Sequence, residues 1–296
     1  MRIVSLLPST TEIVFAIGAG EDLAGVTVEC DYPEQARTRR VVSRTTLPAG
    51  LAPAEIDAFV RARMAAGEDL YRLDEEAFRE IDPELVLTQD LCAVCAIDAS
   101  DVDAAMNHLG CNGNVLTVDP GTLEEVIDSI ATIGAAVGRS DDAIRLVDEL
   151  RTRLASVTAA VADRPRPRVA MVEWTDPPFT AGHWVPDLVG AAGGNPVIGT
   201  SRVPSVATTW EAVAAADPQV IVIAPCGYRL DDARTLAEEA TRAAGFPADV
   251  PVWAIDADAV IVRPGPRLVD GVEALAGILH ADVVPGRPEY VTQVRG

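Results

Sequence analysis

Lysine does not occur anywhere in the 296 residues: all 24 basic side chains are arginine, a bias of codon usage. Against 45 acidic residues they leave a formal net charge of −21. Phosphate backbones and anionic lipid surfaces are bound through a basic face, so nucleic-acid and membrane-surface partners are excluded as classes. No apolar run approaches the ~18 residues that cross a bilayer, which excludes membrane insertion. There is no Gly-rich phosphate loop, no paired-His zinc protease motif and no serine elbow. Glu173 and Asp176 have no nucleophile paired with them in the sequence, so no catalysis is expected. The opening residues do not read as an export signal. The apolar run after Met1-Arg2 stops at Leu7, with Pro8 and Glu12 following, short of the roughly 7–15 apolar residues a signal needs. Read as it stands, the chain is expected to be cytoplasmic; the alternative is an exported protein whose signal peptide was trimmed.

Hydrophobic residues make up 49% of the chain, enough for two ordinary cores. The two halves repeat one unit. Glu76-Ala77-Phe78-Arg79-Glu80-Ile81-Asp82-Pro83 leads into Glu84–Thr88, and Glu211-Ala212-Val213-Ala214-Ala215-Ala216-Asp217-Pro218 leads into Gln219–Ile223. Each predicts a short helix, a Pro-marked turn and a strand of continuous apolar residues, the signature of a parallel strand covered on both faces. Further strands are predicted at Arg2–Leu7, Ala24–Val28, Asn114–Val118, Arg168–Glu173 and Pro251–Ile255. Between the halves, Thr122 and Glu125 form a capping box, and Gly138 ends the helix that follows. Ser140 caps a second helix of about 23 residues, ~35 Å long at 1.5 Å per residue. The expected fold is α/β: two Rossmann-like lobes with mainly parallel sheets, at 1–139 and 165–296, bridged by a long α-helix at 140–164.

In open α/β sheets, ligands bind beyond the carboxyl ends of the strands. Applied strand by strand, the rule gathers Cys30, Asp31 and Tyr32; Cys92 and Cys95; Trp174, Phe179, His183 and Trp184; and Cys226 and Tyr228. In a chain with 4% aromatics this concentration favours a flat, mostly apolar ligand. Cys92-Ala93-Val94-Cys95 has zinc or redox spacing, and Cys30 and Cys226 could complete a zinc or iron site, although buried thiols are equally read as small hydrophobes. Cys111 reads as inert, and His108 and His280 as surface or capping residues late in helices.

Several segments resemble one family. Arg2–Glu12 resembles the opening strand and loop of the periplasmic iron-siderophore and cobalamin-binding proteins. Gly25–Pro33, ending Asp31-Tyr32-Pro33, resembles the second strand of the cobalamin subgroup. Asp176–Gly182, Ala192–Asn195, Ser201–Pro204 and Pro264–Leu268 resemble its second lobe. The resemblance implies a cobalamin or related corrinoid held in the inter-lobe cleft without catalysis, with Tyr32, Phe179 and Trp184 as leading contacts and Ser9 and Thr10 in the opening loop. It also implies that Glu76 and Glu211 dock to an ABC permease. Two alternatives stay open: a cytosolic metalloprotein or enzyme ligating metal through Cys30, Cys92, Cys95 and Cys226, and an ordinary ABC importer subunit.

Overall fold

A computed structural model describes residues 1–89, 102, 106, 108, 111 and 113–296. The chain divides into two units, Met1–Pro120 with Ile127–Val147, and Gly121–Val126 with Asp148–Gly296.

The first unit is a six-stranded sheet of β1 (Ile3–Ser5), β2 (Leu23–Thr27), β3 (Arg40–Thr45), β4 (Tyr71–Leu73), β5 (Leu85–Thr88) and β6 (Asn114–Thr117), in the order β4-β3-β2-β1-β5-β6. Only β4 runs antiparallel to its neighbour. The chain reverses its direction across the sheet at β1, where β5 joins the side opposite β2; such a switch point opens a crevice at the carboxyl ends. Helices α1 (Pro8–Ala16), α2 (Pro53–Ala66) and α3 (Glu75–Ile81) accompany the strands. α1 and α2 each start on a proline, whose missing N–H is no loss at that position. α3 starts on Asp74, whose Oδ1 accepts from Ala77 N at 2.9 Å. Phe78, fully buried, packs with Val4, Val42, Ile81 and Val86 beneath α3.

Two helices follow, α4 (Leu123–Ala136) and α5 (Ser140–Val161). Thr122 caps α4 through Glu125 N at 3.2 Å, and the Glu125 carboxylate accepts from Gly121 N and Arg202 as well as from the Thr122 backbone, as a capping box requires. The 22-residue α5 answers to the expected long helix. Its residues to Val147 group with the first unit and those from Asp148 with the second.

The second unit is built on β7 (Arg168–Thr175), β8 (Pro178–Thr180), β9 (Asn195–Pro196), β10 (Val220–Ile223), β11 (Val252–Ile255) and β12 (Val291–Arg295), in the order β12-β11-β10-β7-β8 with β9 also on β7. Its helices are α6 (Val185–Ala191), α7 (Trp210–Ala215), α8 (Leu230–Ala240), the single turn α9 (Ala257–Val260) and α10 (Leu268–Leu279). Trp210, Val213, Ile221, Ile223 and Ala254 form its core with Ala233 and Ala237 of α8. His280, the C-cap of α10, is buried at 5% exposure, with Nε2 3.3 Å from Gly193 O, so it is a capping residue but not a surface one.

The repeat seen in the sequence extends to individual hydrogen bonds. Arg2 Nε donates to Asp82 O at 2.7 Å and its Nη2 to Asp82 Oδ2 at 3.2 Å; Arg168 Nε donates to Asp217 O at 2.6 Å and its Nη2 to Asp217 Oδ2 at 2.7 Å. Arg2 N donates to Glu84 Oε2, and Arg168 N to Gln219 Oε1. Asp82 and Asp217 both hold the left-handed region, φ 46° and 51°, which aspartate tolerates better than most residues. The same clasp therefore sets β1 against β5 and β7 against β10.

Candidate functional site

In the first unit, three side chains of β1 and α1 share one buried network with Cys30, beyond β2. Ser5 Oγ lies 2.6 Å from Thr10 Oγ1 and accepts from Thr11 Oγ1 at 2.8 Å, while Thr11 Oγ1 lies 3.0 Å from Cys30 Sγ. Buried hydroxyls are costly unless paired, and here each has a partner. Thr10 and Cys30, 1% and 3% exposed, are thereby committed to holding the α1 entry against β2. Ser9, in the first turn of α1, is also buried. Beyond β2 the surface opens: Tyr32 is 46% exposed and Val28 42%, while Asp31 pairs with Arg37 at 3.3 Å. Tyr71 donates its hydroxyl to Glu29 at 2.9 Å, tying the end of β2 to β4.

The second unit carries the aromatic residues. Trp174 on β7 stands directly opposite Phe179 on β8, so the two share a face. Tyr228, beyond β10, tilts against Trp174 with ring centroids 5.7 Å apart. All three are half-buried, leaving aromatic surface beyond the ends of β7 and β10, the pair at which this sheet reverses order. Burial and the nearby charge of Asp232 push the Tyr228 phenol up from its ordinary value, so it stays a donor. Glu173 Oε1 accepts from Gly182 N at 2.8 Å, and Glu173 O from Cys226 N at 3.0 Å, which fixes the flanking loops.

His183 occupies the left-handed region at φ 49°, held by its N–H to Val203 O and its carbonyl from Arg202 N. Its Nε2 is buried without a hydrogen-bond partner among the described residues, and burial holds its pKa below the ordinary value, so the ring is a neutral imidazole. Val203 and Val206 on the facing loop are 47% and 53% exposed. That loop is seated on Gly199, at φ +85°, where a Cβ would fall 2.0 Å from Ala181 O. Gly199→Ala is therefore expected to displace residues 199–206 at a cost of at least ~1–2 kcal/mol for the backbone conformation alone. Limited proteolysis, showing faster cleavage within that loop in the variant, is the check.

Trp184 departs from the sequence expectation. It is 6% exposed and its Nε1 donates to Ile261 O at 2.8 Å, so it braces the start of α6 against the residues after α9. Four charged residues that the sequence reading passed over flank Tyr228. Arg263 grips Asp258 through two bonds of 3.0 and 2.8 Å, Arg229 reaches Asp258 at 3.2 Å, and Asp256 Oδ1 caps α9 through Ala259 N. Asp256 and Asp258 follow β11 directly, so the carboxyl-end rule, carried to that strand, finds them.

Metal ligation finds no support among the described residues, where no three His, Cys, Asp or Glu side chains gather as an ion would need. Cys30 is buried in the first unit against Val26 and Ala36, and Cys226 is exposed in the second. Cys92 and Cys95 lie outside the described residues. Cys111 is buried, which raises its thiol pKa. Glu76 and Glu211 are exposed and hold the same place, the second residue of α3 and of α7, after the caps Asp74 and Thr209.

Comparison with known proteins places this geometry. The family model described as periplasmic binding protein matches residues 3–257. An ABC transporter substrate-binding lipoprotein of Bacillus subtilis is 26% identical over 95% of this chain and 80% of its own. A vitamin B12-binding protein of Vibrio cholerae is 24% identical over 94% of this chain and 88% of its own. Among solved structures, a periplasmic heme-binding protein from Pseudomonas aeruginosa superposes with a TM-score of 0.71 at 19% identity, over 99% of this chain and 97% of that one. The matched family, one of periplasmic binding proteins, and the lipoprotein relative overturn the expectation of a cytoplasmic chain and point outside the cytoplasm. The matched family consists of binding proteins, so the role is non-catalytic. Two mainly parallel α/β sheets, the helices that follow them and a match over 255 consecutive residues lead to one conclusion: this chain belongs to the periplasmic binding protein family.

Proposed function

We propose that this chain is the extracytoplasmic substrate-binding subunit of an ABC importer and that its cargo is a corrinoid, cobalamin or a close relative. The observation that carries the ligand class is the aromatic face of Trp174, Phe179 and Tyr228 at the carboxyl ends of β7 and β8 and beyond β10. A large, flat, largely apolar ring system buries most surface on such a face, and a few polar groups orient it. Here those groups are the Tyr228 hydroxyl and His183. Ser9, Asp31 and Tyr32 are the corresponding candidates of the first unit. Glu76 and Glu211 are the proposed contacts to permease arginines, one from each repeat.

A second reading, heme, is favoured by one specific observation. His183 holds a neutral imidazole whose buried Nε2 has no partner among the described residues, the chemistry of an axial ligand to iron as readily as to cobalt. Visible-absorbance titration of the reduced protein with hydroxocobalamin, and separately with hemin, decides between them. The corrinoid reading expects saturable retention of hydroxocobalamin at micromolar affinity or tighter, about −8 kcal/mol, with hemin at least tenfold weaker. The reverse order establishes heme. No retention of either on dialysis removes the tetrapyrrole class.

A further inference from the structure

The first unit contains an open cavity of about 440 Å³ lined by Thr45, Thr46, Phe59, Arg63 and Arg72, which none of the proposed ligand contacts reaches. Its arginines are unusual for this chain. With 45 acidic residues for 24 arginines, most guanidinium groups are paired with a carboxylate. Arg72 is not: it lies on the edge strand β4 directly opposite Arg44 of β3, both are exposed, and neither forms an ion pair among the described residues. Like charges directly opposite on paired strands repel, so the arrangement costs stability unless something neutralises it. Arg63 of α2 closes the cavity, with its guanidinium stacked over Phe59 at 5.6 Å and one arm on Glu68. Its Nε is buried without a hydrogen-bond partner among the described residues. A strongly acidic protein has thus placed three arginines together and left two of them with no internal counter-charge.

We infer that this cavity is a binding site for a phosphate-class oxyanion, held by Arg63 and Arg72 with Arg44 alongside. Planar guanidinium forks match the paired oxygens of such an anion, and the stacked Arg63 is preorganised to meet it. A phosphate free in solution and a phosphate carried on the imported molecule present the same chemistry to these side chains. The site stands independently of the corrinoid reading, because it is built from residues of the first unit alone.

The test uses inorganic phosphate as probe, by isothermal titration of the full chain in low-salt buffer near pH 7. The expected result is a saturable millimolar or tighter affinity, competed by sulfate and weakened by added salt as screened charges require. Arg72→Gln, and Arg44→Gln with Arg72→Gln, should weaken phosphate at least tenfold. Both positions are exposed, so thermal melting that is unchanged, or raised by the lost repulsion, certifies the fold, and Arg72→Lys should restore part of the affinity. No saturable binding in the unmodified chain, or equal binding in the Gln variants, overturns the site. Repeating the titration with hydroxocobalamin present separates the sources. Loss of phosphate binding assigns the site to a phosphate on the cargo, and retained binding assigns it to a free anion.

Discussion

Trp184→Ala is expected to lower the unfolding free energy by about 3–5 kcal/mol, the usual cost of removing a buried tryptophan. For a chain of this size that corresponds to a fall in melting temperature of roughly 6–20 °C. The magnitude follows from two losses that add: the cavity left by a ring only 6% exposed, and the Ile261 carbonyl left without the indole N–H it accepts at 2.8 Å. Trp184→Phe separates them. It keeps most of the volume and removes the donor, so it should cost about 1–3 kcal/mol, the range for an unsatisfied buried group. Trp174→Ala is the counterpart with the opposite signature. Trp174 is half-buried on the open aromatic face, so its loss should leave melting nearly unchanged while weakening ligand by about 1–3 kcal/mol. Calorimetric melting and ligand titration on the same three proteins check the assignment. If Trp184→Ala melts normally and loses ligand, the tryptophan is a contact rather than a brace.

Reversing both proposed docking carboxylates, Glu76→Arg with Glu211→Arg, should nearly abolish uptake while leaving ligand affinity intact. The two positions are exposed and sit after the caps of equivalent helices, so neither change disturbs a core. Placing arginine where a partner's arginine must approach replaces attraction with repulsion. Charge pairs at interfaces are worth a few kcal/mol, so each reversal should cut uptake roughly tenfold and the pair roughly a hundredfold. Transport in cells carrying the cognate permease is the measurement, with retention of purified ligand as the control. Uptake unchanged in the double variant would remove these residues from the docking surface, and a fall in ligand affinity would mean they act through the fold.

The strands that carry the site were legible because they are buried on both faces. Leu85–Thr88 and Val220–Ile223 are continuous apolar runs, and the structure returns both with the expected ends. The edges were not legible. β3 reads Arg-Val-Val-Ser-Arg-Thr and β4 has three residues, so neither shows the period of a covered strand, and β12 alternates weakly. Part of the candidate site was legible as position because the carboxyl-end rule is topological: Trp174, Phe179 and Tyr228 follow strands and lie where strand order says. Burial was not. Trp184 is one residue from His183 and within five of Phe179, and nothing local says that its indole turns inward to Ile261. The Arg263–Asp258 pair was missed for a related reason, since charged residues after a strand look like an ordinary wet loop until the fold brings them together. Cys30 shows the converse: a cysteine placed by rule at the ligand side proves to be spent on Thr11.

The twin clasps, Arg2 on Asp82 and Arg168 on Asp217, make each half a record of the other. At the amino ends of the paired strands the halves match bond for bond, while the residues offered to a ligand follow β2, β7 and β10 at the opposite ends. Register is therefore fixed at one end of the strands, and what is offered to a ligand is set at the other. Such a scaffold can exchange cargo by editing its tips alone. Grafting new loops after β2, β7 and β10 should change what is carried without asking the two sheets to learn a new way to fold.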